Sequence, residues 1–144
     1  MKEIKNMNDQ TYRARIGHQI SVFLENRPGT LGSVIDVLRE AGINMLALSL
    51  SEGLEIGYLR VTVDKLPEAR EALKKTGHLV LEREVLLLEV VNEPGGLASV
   101  IDRLSGAGIN VEYAYSADSP TPKTSMIVVR VADPAAALKF LQGA

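Results

Sequence analysis

The chain carries a second copy of part of itself. Displaced by 66 residues, Asn26-Arg-Pro-Gly-Thr-Leu-Gly-Ser-Val-Ile-Asp-Val-Leu-Arg-Glu-Ala-Gly-Ile-Asn44 lies over Asn92-Glu-Pro-Gly-Gly-Leu-Ala-Ser-Val-Ile-Asp-Arg-Leu-Ser-Gly-Ala-Gly-Ile-Asn110, with thirteen of nineteen positions identical. Two unrelated amphipathic helices would agree at apolar positions only; here the turn, the helix exit and several polar positions agree as well. A length of 144 residues suits one ordinary domain or two very small ones. The duplication decides for two.

Each copy then reads alike. Gln19 to Leu24 and Val85 to Val91 are apolar runs of strand length that stop at an Asn-x-Pro-Gly turn. Pro28 and Pro94 suit a first helical turn, and Leu31, Val34, Ile35 and Leu38, like Leu97, Val100, Ile101 and Leu104, recur at helical spacing. Gly42 and Gly108 suit the left-handed helix exit. Ile43 to Leu50 and Ile109 to Ser116 read as second strands, and Tyr58 to Val63 and Met126 to Val131 as third strands. In the third strand of copy one Leu59, Val61 and Val63 form an apolar face, with Arg60 and Thr62 on a wetter one. Second helices open near Pro67, running to Gly77, and at Pro134 behind an Asp133 cap. His78 to Leu81 supplies a fourth strand to copy one.

The order is βαββαβ. It predicts an α+β chain of two ferredoxin-like modules in tandem, each an antiparallel sheet with its helices on one face. The second copy lacks its last strand, because only Gln142, Gly143 and Ala144 follow its second helix. Expected boundaries are an N-terminal extension over 1–17, flexible or covering a sheet edge, a first module over 18–82 and a second over 83–144. The segment from Asn6 to Gly17 is a candidate to cover the edge that the missing strand leaves open.

Composition narrows the function. A formal net charge of −2, with both signs dispersed, lacks the concentrated positive field that a phosphate backbone requires, so nucleic acid is not expected as a partner. The absence of cysteine removes disulfides, thiolate nucleophiles and cysteine-ligated metals, and it fits a reducing cytoplasm. No apolar run reaches the roughly 18 residues that span a bilayer, so no membrane role is expected. No nucleotide-binding glycine motif, phosphate loop, His-Glu-x-x-His or Gly-x-Ser-x-Gly elbow is present, which argues against an enzyme; no cofactor or metal is implied. His18 and His78 stand apart with no partner at ligand spacing.

At the turn Asn26-Arg27-Pro28-Gly29, repeated as Asn92-Glu93-Pro94-Gly95, and at the exit Ala-Gly-Ile-Asn of 41–44 and 107–110, the chain resembles the ACT domain, a ligand-binding regulatory module. The resemblance spans about residues 18–142, and the whole is similar to stand-alone tandem ACT proteins. Glu25 to Gly29 is similar to the serine-sensing ACT domain of phosphoglycerate dehydrogenases, which carry histidine where this chain has Leu24 and Val90. The resemblance implies an amino-acid effector bound between paired modules near the first turn, a partner enzyme, and a homodimer as one arrangement. It implies Asn26, Pro28, Gly29, Thr30, Leu31 and Asn44, with Asn92, Pro94, Gly95, Gly96, Leu97 and Asn110, as ligand contacts.

Physical chemistry is compatible with this. A Pro-Gly turn opening a helix presents N–H groups and the positive end of the helix dipole, which suit a carboxylate. Equally, Asn26 and Asn92 read as turn or helix-capping residues, and Asn44 and Asn110 as residues at a cap exit. Arg27 in one turn against Glu93 in the other predicts that copy one holds an anionic group more tightly. Three functions remain open: a free amino-acid sensor, a regulatory subunit acting on its enzyme by contact, and a pairing module without ligand.

Overall fold

In each copy of the repeat a strand feeds a turn, a helix, two strands and a second helix. The computed structural model describes residues 5–7, 10–51, 56–117, 119 and 121–143. In chain order its elements are β1 (Lys5–Met7), β2 (Gln10–Glu25), α1 (Thr30–Glu40), β3 (Met45–Ser51), β4 (Ile56–Val63), α2 (Leu66–Lys74), β5 (Val80–Val91), α3 (Gly96–Gly106), β6 (Tyr113–Ala117), β7 (Thr124–Arg130) and α4 (Pro134–Leu141). The chain divides into two units, one of residues 18–83 and one of residues 84–144 together with 1–17.

In the first unit β4 lies between β3 and the second half of β2, both antiparallel to it. The start of β5 joins the other side of β2, where Phe23 N–H donates to Leu79 O at 3.0 Å. Alternation then sorts the side chains. Ile20, Val22 and Leu24 on β2 and Leu59, Val61 and Val63 on β4 form one buried set with Val34 and Leu38 of α1 and Ala69 and Leu73 of α2. Both helices therefore cover one face, and each fully buried aliphatic side chain contributes about 1.5–3 kcal/mol. The opposite face is less wet than its sequence suggests: Thr62 and its register partner Gln19 are fully buried.

The second unit repeats this core almost position by position. Leu86, Leu88 and Val90 of β5 and Ile127, Val129 and Val131 pack with Val100 and Leu104 of α3 and Ala137 and Leu141 of α4. Helices α1 and α3 end alike. Gly42 and Gly108 take φ of +72° and +74°, Ile43 N–H returns to Leu38 O, and Ile109 N–H returns to Leu104 O. This six-to-one closure needs a residue without Cβ at the left-handed position. Asp133 caps α4, its Oδ1 accepting from Ala136 N–H at 3.1 Å.

No strand follows α4 among the described residues. In its place stands the first half of β2, a neighbour of β5. Tyr12 and Ala14 lie in the core of the second unit, and the Tyr12 hydroxyl donates to Leu141 O at the end of α4. Gly17 sits so close to Leu87 that a Cβ there would come within 2.7 Å of its Cγ. β1 folds back on β2 as an antiparallel pair.

Two expectations need correction. Pro28 and Pro94 do not stand in the first helical turns; α1 and α3 begin at Thr30 and Gly96, with Gly29 and Gly95 as the N-cap residues. Each glycine holds a left-handed φ, +90° and +87°, and this reversal after the proline delays the helix by two residues. Leu97 is also not a core residue: it is 42% exposed on the first turn of α3.

On the first unit's surface, Arg70 of α2 donates two hydrogen bonds to Glu82 of β5, both at 2.7 Å. These bonds hold the Glu82 carboxyl below its ordinary value near 4.5. A depressed carboxylate contributes stability that is present above its unfolded pKa and is lost as pH falls through the folded one. Glu82→Gln is therefore expected to lower the melting temperature slightly near neutrality, where the exposed pair is intact, and to converge on the parent as pH falls from about 5 to 3. Melting curves from neutral pH through that range for both proteins check this; an offset that stays constant with pH, or none at all, would show that the titration of Glu82 does not couple to folding.

Candidate functional site

Turn one leaves β2 at Glu25 and reaches α1 at Thr30. Arg27 N–H donates to Glu25 O at 2.9 Å, and the Thr30 hydroxyl bonds Glu25 O at 2.9 Å and Arg27 O at 3.1 Å. The first helical bond is Ser33 N–H to Gly29 O. Thr30, Leu31 and Gly32 therefore precede the intrahelical ladder, and the N-cap glycine supplies no side-chain hydrogen bond to them. Asn26, Pro28 and Gly29 are exposed around this helix start, Leu31 is half-buried, and Thr30 is buried beneath it. Asn26 is not the helix cap; that place belongs to Gly29.

Turn two has the same frame but different fittings. Asn92 N–H donates to Lys123 O at 2.8 Å, Gly96 N–H to Glu93 O at 3.0 Å, and Ser99 N–H to Gly95 O at 3.0 Å. One first-turn donor, at Gly96, is thus already used within the turn. Where Thr30 reaches the carbonyl before its turn, Gly96 presses on one directly: a Cβ there would lie 2.1 Å from Val91 O. Asn92, Pro94 and Gly95 are exposed.

Behind the turns the two copies part company. In the first, Phe23 meets Tyr58 edge to face with ring centroids 5.1 Å apart. In the second, the repeat places Glu89 where the first has Phe23, buried to 4% exposure. Its Oε2 accepts from Thr124 Oγ1 at 2.9 Å, its Oε1 lies 3.7 Å from Arg13 Nε, and the Ser119 and Thr121 hydroxyls extend the network through Thr124. The sequence reading took Val85 to Val91 as one apolar run and missed this network. The signal was there in the single carboxylate at a position that β-alternation sets apart from Leu86, Leu88 and Val90.

Asn44 and Asn110 do not join their turns. Asn44 follows the C-terminal end of α1, and eleven helical residues at 1.5 Å each put about 16 Å between that end and turn one. Its backbone is tied elsewhere, N–H to Asp64 Oδ1 at 3.0 Å and O from Asp64 N–H at 3.3 Å. Asn110 stands in the same way beyond α3 and is exposed. Arg27, expected to favour an anion, is paired with Glu25 through Nε at 2.6 Å, which offsets part of its charge. Asp36 pairs with Arg39 on the exposed face of α1, a solvated ion pair. Among the described residues no group of three or more metal-ligating side chains converges, and no helix is long and apolar enough to cross a membrane.

Residues 16–139 match the family described as an ACT domain pair. The chain is an ACT domain pair. A solved structure of protein BT0572 from Bacteroides thetaiotaomicron is 33% identical, with 90% of this chain and 89% of that one covered at a TM-score of 0.82. The regulatory subunit of aspartate kinase from Thermus thermophilus, ligand free, shares the fold at 20% identity and a TM-score of 0.67, covering 88% and 91% of the two chains. Its counterpart from Thermus flavus does so at 20% identity and 0.63, covering 99% and 98%. No curated protein matches the sequence. Membership assigns this ACT pair a regulatory, ligand-binding role.

Proposed function

We propose that this ACT pair is a cytoplasmic amino-acid sensor without catalytic activity of its own, and that turn one is its principal ligand site. The observation that carries this reading is the start of α1. There three residues precede the helical ladder behind an N-cap that has no side chain, and exposed Asn26 stands beside them. A carboxylate set on these donors meets hydrogen bonds and the positive end of the helix together. Asn26 then serves the ligand as a polar contact, and Gly29, with no atom within 4 Å of its missing Cβ, leaves room for close approach. Turn two offers the same frame with fewer open donors, so we assign Pro94, Gly95, Gly96 and Leu97, with Asn92, to a weaker site. Asn44 and Asn110 lie beyond the far ends of α1 and α3 and are left out of these two sites.

A second reading has support in the comparisons. The Thermus chains covered almost end to end are described as regulatory subunits of aspartate kinase. A regulatory subunit that controls a separate amino-acid enzyme by contact fits the same fold. Co-purification of a stable enzyme partner together with no response to amino acids would favour it.

The site assignment is tested at Asn26. Asn26→Ala is expected to weaken amino-acid binding about tenfold, the worth of one hydrogen bond to a charged group. The melting temperature of the unliganded protein should stay close to that of the parent, because an exposed residue that does not cap the helix changes stability by about 0.5 kcal/mol or less. Calorimetric titration of both proteins decides. Unchanged affinity with reduced stability would make Asn26 a turn residue alone.

A further inference from the structure

Turn one departs from β2 beside a glycine. In the sheet Leu24 pairs with Gly57 of β4, and one strand further out Leu50 of β3 pairs with Leu59. Register partners share a face, and Leu24 and Leu59 lie in the core under α1, so Gly57 and Leu50 also belong to the helix side. The place of the missing Gly57 Cβ lies 3.7 Å from Leu50 Cδ1 and 3.9 Å from Leu24 O. Leu50 thus leans over the glycine toward the strand end that feeds the turn, yet it stays 49% exposed. Leu48, on the same face, is 43% exposed, and Leu31 on the first turn of α1 is half-buried against the core.

Copy two fills the same places with other chemistry. Val90 pairs with Ser125 where Leu24 pairs with Gly57, and Ile127 pairs with Ser116 where Leu59 pairs with Leu50. Ala114, paired with Val129, stands for Leu48. Turn one therefore has an exposed aliphatic flank on its helix side, and turn two has small residues and hydroxyls there.

We infer that the amino acid held at turn one carries an apolar side chain, aliphatic or aromatic, seated against Leu50. This rests on the reading of turn one as the ligand site and adds the class of ligand to it. Every amino acid brings a carboxylate, so the donors at the start of α1 do not choose among them. The flank does. Hydrocarbon laid on Leu50 removes apolar surface from water on both partners, whereas a charged or hydroxylated side chain there loses water and gains no hydrogen bond from leucine.

Calorimetric titration of this chain with leucine, phenylalanine, alanine, serine, aspartate and lysine tests it. Leucine or phenylalanine should bind at least about tenfold more tightly than alanine or serine. Leu50→Ser should reduce that ratio at least about fivefold while changing the affinity for alanine little. Ile56→Ser is the control. Ile56 pairs with Glu25, so alternation puts it on the face away from the helices, and it is 49% exposed, so the ratio should stay as in the parent. Melting curves of both variants establish that each is folded. Tightest binding of serine, aspartate or lysine overturns the inference and leaves the sensor reading standing. An apolar preference that survives Leu50→Ser, or that Ile56→Ser removes equally, also overturns it. No binding by any of the twenty amino acids would overturn the sensor reading, and this inference with it.

Discussion

Tyr12→Ala should cost the second unit about 3–5 kcal/mol, a large share of what holds a domain of this size together. Tyr12 comes from before the repeat, yet it lies 3% exposed in the core with Leu86, Leu88 and Leu141, and its hydroxyl closes onto Leu141 O. Truncation removes a ring from a packed core and leaves a cavity that its surroundings fill only in part. Tyr12→Phe separates the two contributions and should cost only about 1 kcal/mol, the net worth of the hydrogen bond. Chemical denaturation followed by a probe in α3 or α4 measures both. Parental stability in Tyr12→Ala would mean that the N-terminal strand is not part of this core.

The second large effect is expected at Gly96. Gly96→Ala brings a methyl group to 2.1 Å from Val91 O, a backbone atom that cannot move without displacing β5. Overpacking against a flexible side chain costs about 1–3 kcal/mol, and against fixed backbone the cost should reach or pass the upper end. The contrast with copy one sharpens the expectation. Thr30 holds the same position in the repeat and is accommodated there, its hydroxyl bonding Glu25 O and Arg27 O. Thr30→Gly should therefore cost only about 1–2 kcal/mol, from the lost hydrogen bonds and the added freedom of glycine. Equal costs at the two positions would mean that the two turns have the same geometry after all.

These positions also show what sequence could and could not disclose. The repeat, the period-two strands and the period-3.6 helices made both cores legible, since Val34 and Leu38 recur as Val100 and Leu104 and fill the same places. The strand of residues 10–17 was harder to see, because it lies outside the repeat. Its alternation of Tyr12, Ala14 and Ile16 with Arg13 and Arg15 is a half-buried strand pattern that the surrounding polar residues obscured. Of the candidate site, the turn residues lie together because they are local in sequence, whereas an eleven-residue helix stands between Asn44 and turn one and another between Asn110 and turn two, a separation that the shared motif does not display. Gly96 enters the sequence reading only as a ligand contact that the resemblance implies; its constraint comes from Val91 O across the turn, a contact that no spacing rule displays.

The central claim, that the pair senses an amino acid, is tested most directly by melting this chain against each of the twenty amino acids in turn. Ligand at 100 times its dissociation constant adds about 2.7 kcal/mol, a rise of several degrees for a chain of this size. The account predicts such a rise with one amino acid or a chemically related few, reduced in Asn26→Ala at the same concentration. A flat response to all twenty in the millimolar range would contradict it.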